Sequence, residues 1–207
     1  MKELEHLFDR IVQRVNISLR EHEYDVHPFV NDLIPSNKMT KFYAFYGITP
    51  QHKLNLQFRH SSLSGSYFLG KCQVTNSLLY KSDIRGDELK KKGDRFQFGD
   101  FDIPMNVDEE IKIYDSFLIK TLVHNNSHDP ETLETFLIRD TISTHYANIH
   151  GSPIDGSFLG PFSTVDLTTM RDCLIGAFSY IQVGEVSHLN IKPGTVWVRS
   201  PDNFNFL

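Results

Sequence analysis

The sequence predicts an all-β chain: a left-handed parallel β-helix wound from hexapeptide repeats, with an N-terminal helix in front of it. Three observations carry this. The first twenty residues place Leu4, Leu7, Phe8, Ile11, Val12 and Val15 three and four apart, on one helical face. From about Leu54 onward that period is lost and short apolar signals arrive every five or six residues. Two contiguous units, Leu159-Gly160-Pro161-Phe162-Ser163-Thr164 and Val165-Asp166-Leu167-Thr168-Thr169-Met170, open on an aliphatic residue followed by Gly or Asp, and a third, Ile175-Gly176-Ala177-Phe178-Ser179-Tyr180, repeats them.

Each unit has a physical reading. In a triangular coil of three short strands, one aliphatic side chain points inward on each flat face. The small residue at the fifth place (Ser163, Thr169, Ser179) fits the crowded interior near a corner, and Gly relaxes the backbone at the turn. One coil cannot bury its own interior, so coils stack and their parallel strands pair about 4.8 Å apart. An antiparallel sandwich would instead show clean two-residue alternation.

Residues 1–53 read as an N-terminal helix and loop extension, broken by Pro28, Pro35 and Pro50, with a short strand within Lys41–Tyr46. Residues 54–207 read as the β-helix. Weaker units lie at Leu69–Cys72, Val74–Leu79, Ile84–Asp87, Asp115–Ile119 and Ser143–Ile154. Residues 87–110, rich in Lys, Asp and Gly, and the polar stretch 125–135 read as loops ejected from the coils.

Composition narrows the function. A net charge of −5 argues against a nucleic-acid partner, which needs a basic face. The run Lys90-Lys91-Lys92 is short and flanked by acids. No stretch of 18 apolar residues is present, so no membrane-spanning helix is expected. Cys72 and Cys173 form no C-x-x-C pair and the N-terminus is too acidic for a signal peptide, so both read as buried thiols of a cytoplasmic protein. Phosphate-loop, G-x-S-x-G and H-E-x-x-H motifs do not occur.

The chain has ten histidines. His6, His22, His27 and His52 read as solvated, and His60 and His188 have no obvious partner. His145 and His150, five apart, would lie on neighbouring faces around a corner, a geometry that invites a second chain. His124 and His150 are 26 apart. A coil of roughly 18 residues plus a loop of about eight stacks them on adjacent coils of one face, a separation that suits two imidazoles on one metal.

His145-Tyr146-Ala147-Asn148-Ile149-His150-Gly151 resembles the H-x4-H-G segment of the γ-class carbonic anhydrases. Leu122-Val123-His124 resembles the site of that family's first ligand, Arg85-Gly86-Asp87 its Arg-Gly-Asp motif, and the order along the chain agrees over roughly residues 60–200. The resemblance implies a homotrimer with zinc or iron at each subunit interface, held by His124 and His150 of one chain and His145 of its neighbour. It implies a metal hydroxide that hydrates carbon dioxide. It places Arg85 and Asp87 around the metal site and makes His128 a proton shuttle or alternative ligand. The family's Gln-Asp pair before the first His is replaced here by Leu118-Ile119-Lys120-Thr121.

Two other readings use the same coil. A hexapeptide-repeat acyltransferase needs no metal. It would use His145 or His150 as general base toward a small-molecule hydroxyl or amine, with coenzyme A or an acyl-carrier protein in a groove between chains and the coil near Gly184 lining it. A non-catalytic trimeric scaffold would use the helix at residues 4–15 to dock a partner. Fold alone does not choose among the three.

Overall fold

The protein is described by a computed structural model over residues 2–41, 43–98, 100–126, 135–199 and 205–206. It is a left-handed parallel β-helix with a helix, α1 (Lys2–Ser18), along its side. Three sheets of nine, seven and six strands form the faces of the prism, and successive coils pair in parallel register. The first rung of the nine-stranded sheet is Phe45–Tyr46, paired with Tyr67–Leu69. Its last, Asn205–Phe206, folds back antiparallel. Within the stretch read as a loop, Arg95–Phe98 and Phe101–Pro104 form an antiparallel hairpin.

One turn of the coil takes 16 residues rather than 18, as in Thr168 N–H on Ser152 Oγ and Cys173 N–H on Ser157 Oγ. The inward column shows why. Ile149, Ile154, Leu159, Val165, Met170, Ile175, Ile181, Val186 and Ile191 all enter the core, so two faces of each turn use five residues and one uses six. The unit Val165–Met170 is therefore one residue shorter than a hexad. Its buried small residue is Thr168, while Thr169 faces solvent.

The small interior residues also carry bonds. Ser82 Oγ accepts from Thr121 N–H (3.2 Å) and donates to Leu118 O (3.0 Å), and Thr121 Oγ1 donates to Ser143 Oγ (2.9 Å). Ser77 Oγ accepts from Ser116 N–H, and Ser116 Oγ from Thr141 N–H. The Ser77, Ser82 and Ser116 hydroxyls each satisfy a buried amide of the next coil where the strand ladder breaks at a corner.

Glycine plays a different part from the one expected. Gly160 and Gly176 do not have positive φ; the left-handed residues are Phe162 (φ 59°) and Phe178 (φ 58°), two places later. A Cβ on Gly176 would sit 2.3 Å from Pro193 N, so glycine is needed there for close stacking of the coils. The same corner has Tyr146 at φ 61°, and Tyr146, Phe162 and Phe178 form a stacked column with centroids 5.3 and 5.1 Å apart.

The outward side of the six-stranded sheet is apolar, and α1 covers it. Ile11, Val12, Val15 and Leu19 pack on Leu78, Phe117, Ile119 and Ile142. A helix rises about 6 Å in four residues, close to the roughly 4.8 Å coil spacing, so residues four apart on α1 meet successive coils. Arg10 pairs with Asp115 (2.9 Å), Arg14 with Asp140, Ser18 abuts Gly156, and His22 Nε2 donates to Asp172 O (3.1 Å). His188 lies near Glu21 (3.5 Å) and Asp172 (3.9 Å). The Arg10 and Arg14 side chains are nearly half exposed, though their carboxylate partners are largely covered, so the ion pairs set the helix's register more than its stability. Arg14→Ala is expected to lower the unfolding free energy by no more than about 1 kcal/mol, read by urea denaturation. A loss above about 2 kcal/mol would show that the pair anchors the helix.

Candidate functional site

The nine-stranded sheet carries the residues of interest on its outer side. Ile84, Val123, Ile149 and Val165 point into the core, so their flanking neighbours point out. Register sets Arg85 beside His124, His124 beside His150, and His150 beside Asp166. The second outward column is Asp83, Leu122, Asn148, Thr164 and Tyr180.

His124 and His150 lie with ring centroids 5.2 Å apart. His150 Nδ1 donates to Asp166 Oδ1 (2.6 Å), and Tyr180 OH donates to Asp166 Oδ2 (2.7 Å). The carboxylate thus fixes the ring and leaves Nε2 as the working nitrogen. The Tyr180 phenol is pushed up to about 12 by burial and by Asp166, so it remains a donor. Sequence reading missed both Asp166 and Tyr180. An assumed 18-residue coil hides Asp166, which stands one true turn of 16 after His150.

Arg85 Nη2 reaches Asp87 Oδ2 at 3.4 Å, a loose pair within the Arg-Gly-Asp segment. His124 Nε2 is 3.7 Å from Glu88 Oε1, too far for a hydrogen bond. Among the described residues, seven buried side-chain atoms lack a hydrogen-bond partner: Asp83 Oδ1, Arg85 Nε, Asp87 Oδ1, His124 Nε2, both amide atoms of Asn125, and Asn148 Oδ1. All sit on three successive strands, Asp83–Glu88, Leu122–Asn126 and Asn148–His150. Each such atom costs about 1–3 kcal/mol when left unsatisfied, so the cost is concentrated on these three strands. Burial raises the Asp83 carboxyl above the usual range, against the pull of Arg85.

His145 lies elsewhere in the chain, at the corner between the six- and nine-stranded sheets, next to Tyr146. Burial, then Lys120, lowers its pKa, so the imidazole is neutral at neutral pH. It lines a groove of about 500 Å³ that runs along the coil axis. Pro161, Ala177 and Pro193 line it on the coil, with Tyr24 and Phe29 from the N-terminal segment and Lys192 from a late coil. The structure therefore brings His124, His150 and Arg85 together and keeps His145 of the same chain apart from them. Among the described residues of one chain, no three His, Cys, Asp or Glu side chains are grouped to hold a metal ion. His128 lies outside the described residues.

The two cysteines are buried and unpaired, and burial pushes the Cys72 thiol up to about 12, which removes it as a nucleophile. No helix among the described residues is long and apolar enough to cross a membrane.

Comparison with known proteins agrees with this architecture. Residues 101–207 match the family described as hexapeptide repeat including loop. No curated protein matches the chain. A crystal structure from Desulfovibrio desulfuricans G20, described as a candidate acetyltransferase, superposes with a TM-score of 0.88 at 50% identity, over 98% of this chain and 45% of that one. The chain thus spans a little under half the length of that relative. Of the resemblance to carbonic anhydrases, these comparisons show the shared hexapeptide repeat. With more than half of its residues inside the family's match, the chain belongs to the hexapeptide-repeat proteins whose repeat includes a loop.

Proposed function

We propose that the protein is an acyltransferase that moves an acyl group from a thioester, coenzyme A or an acyl-carrier protein, to a small-molecule hydroxyl or amine. The observation that carries this reading is the Tyr180–Asp166–His150 chain of hydrogen bonds at 2.7 and 2.6 Å. It supplies an oriented imidazole whose other ring nitrogen, Nε2, can take the acceptor's proton. His145, the other candidate base, has no carboxylate partner among the described residues. The similarity to a candidate acetyltransferase adds support. The groove beside His145 is long and largely apolar and ends at Lys192, which suits a pantetheine arm leading to phosphates.

Hexapeptide-repeat proteins commonly form trimers. In a homotrimer, the groove corner of one copy would be presented to His150 of its neighbour, so donor and base would meet between chains. The residues then divide the work. The groove holds and orients the thioester, His150 deprotonates the acceptor, and Asp166 keeps the ring in the productive tautomer.

A second reading has its own observation, the unpartnered His124 Nε2 beside His150. Two imidazoles on adjacent rungs, one of them carboxylate-oriented, suit zinc or iron, and His145 of another copy would supply the third donor. A metal there would lower the pKa of its bound water and provide a hydroxide nucleophile for carbon dioxide. The test is to purify the protein without chelator, measure its metal content and solution mass, and follow thiol release from acetyl-CoA with hydroxyl and amine acceptors. Acceptor-dependent thiol release from a metal-free trimer is expected. About one transition metal per chain and no thiol release would replace the transferase reading with the metal one.

A further inference from the structure

The groove beside His145 has two unlike ends. At one end stands Lys192, which among the described residues is the one charged side chain that lines it. At the other, Tyr24, Phe29 and Phe158 form a cluster of three rings. Tyr24 stacks on Phe29 with centroids 5.0 Å apart, and Phe158 lies 5.7 Å from Tyr24 and 6.2 Å from Phe29. Leu33 joins them in the lining. The rings gather around the strand Phe158–Leu159, two rungs before the strand that leads into Lys192, a separation of about 10 Å along the coil. Between the two ends, Gly160 and Gly176 carry no side chain and Ala177 only a methyl, which keeps the floor low.

The aromatic end is apolar and open to water. Phe29 lines the groove and yet is 52% exposed, so covering it would be favourable. Burial pushes the Tyr24 phenol up to about 12, so the ring stays neutral and brings no charge to this end. A pantetheine arm carries amide groups that need hydrogen-bond partners, and a wall of rings and a leucine supplies few of them. With phosphates at Lys192, the part of a thioester that reaches the far end is the part beyond the sulfur. We infer that the donor carries an aliphatic acyl chain longer than acetyl, whose tail lies against Tyr24, Phe29, Leu33 and Phe158, so that the N-terminal segment selects the acyl group.

This inference rests on the acyl-transfer reading and leaves its chemistry unchanged. The acceptor's oxygen or nitrogen bonds to the acyl carbon while its proton passes to His150 Nε2. The C–S bond breaks, and His150 returns the proton to the leaving thiolate. The products are an ester or amide and a free thiol.

The experiment titrates the full chain with coenzyme A, acetyl-CoA, butanoyl-CoA and hexanoyl-CoA by calorimetry, which needs no acceptor. Hexanoyl-CoA is expected to bind at least about tenfold tighter than acetyl-CoA, with butanoyl-CoA between them; four fully buried methylenes would give about 10²-fold, and a groove buries them in part. Phe29→Ala is expected to bring the hexanoyl-to-acetyl ratio to about threefold or less, because it removes the exposed ring of the wall. Phe29 is half exposed, so the variant should keep its fold, which the melting temperature checks. Leu33→Ala is expected to narrow the ratio in the same sense and keeps the test decisive if the first variant unfolds. The series repeated with acyl-pantetheines separates the two sources of donor: affinity lost with the nucleotide marks coenzyme A, affinity kept marks an acyl-carrier protein, and the chain preference is expected in both. Equal affinity for hexanoyl- and acetyl-CoA, or a preference untouched by both substitutions, would overturn the acyl-chain assignment and leave acyl transfer standing. Equal affinity together with a smaller solution mass for Phe29→Ala would assign the wall to a contact between copies instead. No binding of coenzyme A or of any thioester would overturn both.

Discussion

His150→Gln is expected to lower kcat for acyl transfer by about 10²–10⁴-fold while leaving the KM for the thioester unchanged, since a positioned general base contributes about that much. The imidazole is held at Nδ1 by Asp166 at 2.6 Å, and Asp166 is held in turn by Tyr180. A glutamine can preserve a hydrogen bond to Asp166 but has no basic nitrogen to accept the acceptor's proton. The side chain is about a third exposed on the outer side of the sheet and lies outside the coil's apolar core, so the change should leave the coil intact, which the melting temperature checks. A variant that retains its rate within about threefold would move the base elsewhere, with His145 in the groove the first residue to replace.

The largest expected loss of stability comes from Phe117→Ala. Phe117 is fully buried, paired in parallel with Leu78 and Ile142 in the six-stranded sheet, and packed edge-on against Phe8 of α1 at 5.8 Å. Its removal opens a cavity between the helix and the coil, where neither element can close the gap without breaking its own hydrogen bonds. The expected cost is about 3–5 kcal/mol, read as a fall in ΔG of unfolding by chemical denaturation. A cost near that of Arg14→Ala would mean that the helix is held by its charges and not by its apolar face. The difference between the two substitutions follows from burial: apolar area excluded from water stabilises in proportion to its extent, while a half-exposed ion pair is largely screened.

The linear pattern of residues was sufficient for the coil and for α1. Repeating aliphatics such as Ile149, Ile154 and Leu159 can be read one by one because each fills its own place on a flat face. The apolar face of α1 is legible for the same reason: a helical period shows in local spacing. His124 and His150 could be set on one face because a coil turns a sequence interval into a vertical step, and their register matches that expectation.

The exact step was decided only in three dimensions. Sixteen residues per turn, not eighteen, is what brings Asp166 under His150 and Tyr180 against Asp166, and that length depends on left-handed corners taken by residues as unfavourable for positive φ as Phe162 and Phe178. No local preference announces such a corner; stacking against the neighbouring coils outweighs its cost. The match of Arg10 and Arg14 to Asp115 and Asp140 depends likewise on two rises, helix and coil, meeting along one edge. The unsatisfied atoms of Asp83, Asn125 and Asn148 depend on which neighbours the folded strands supply. Spacing along a chain reports what faces the core, but partnership between polar side chains is set by packing, because it depends on distances of a few tenths of an ångström that only the assembled coils define.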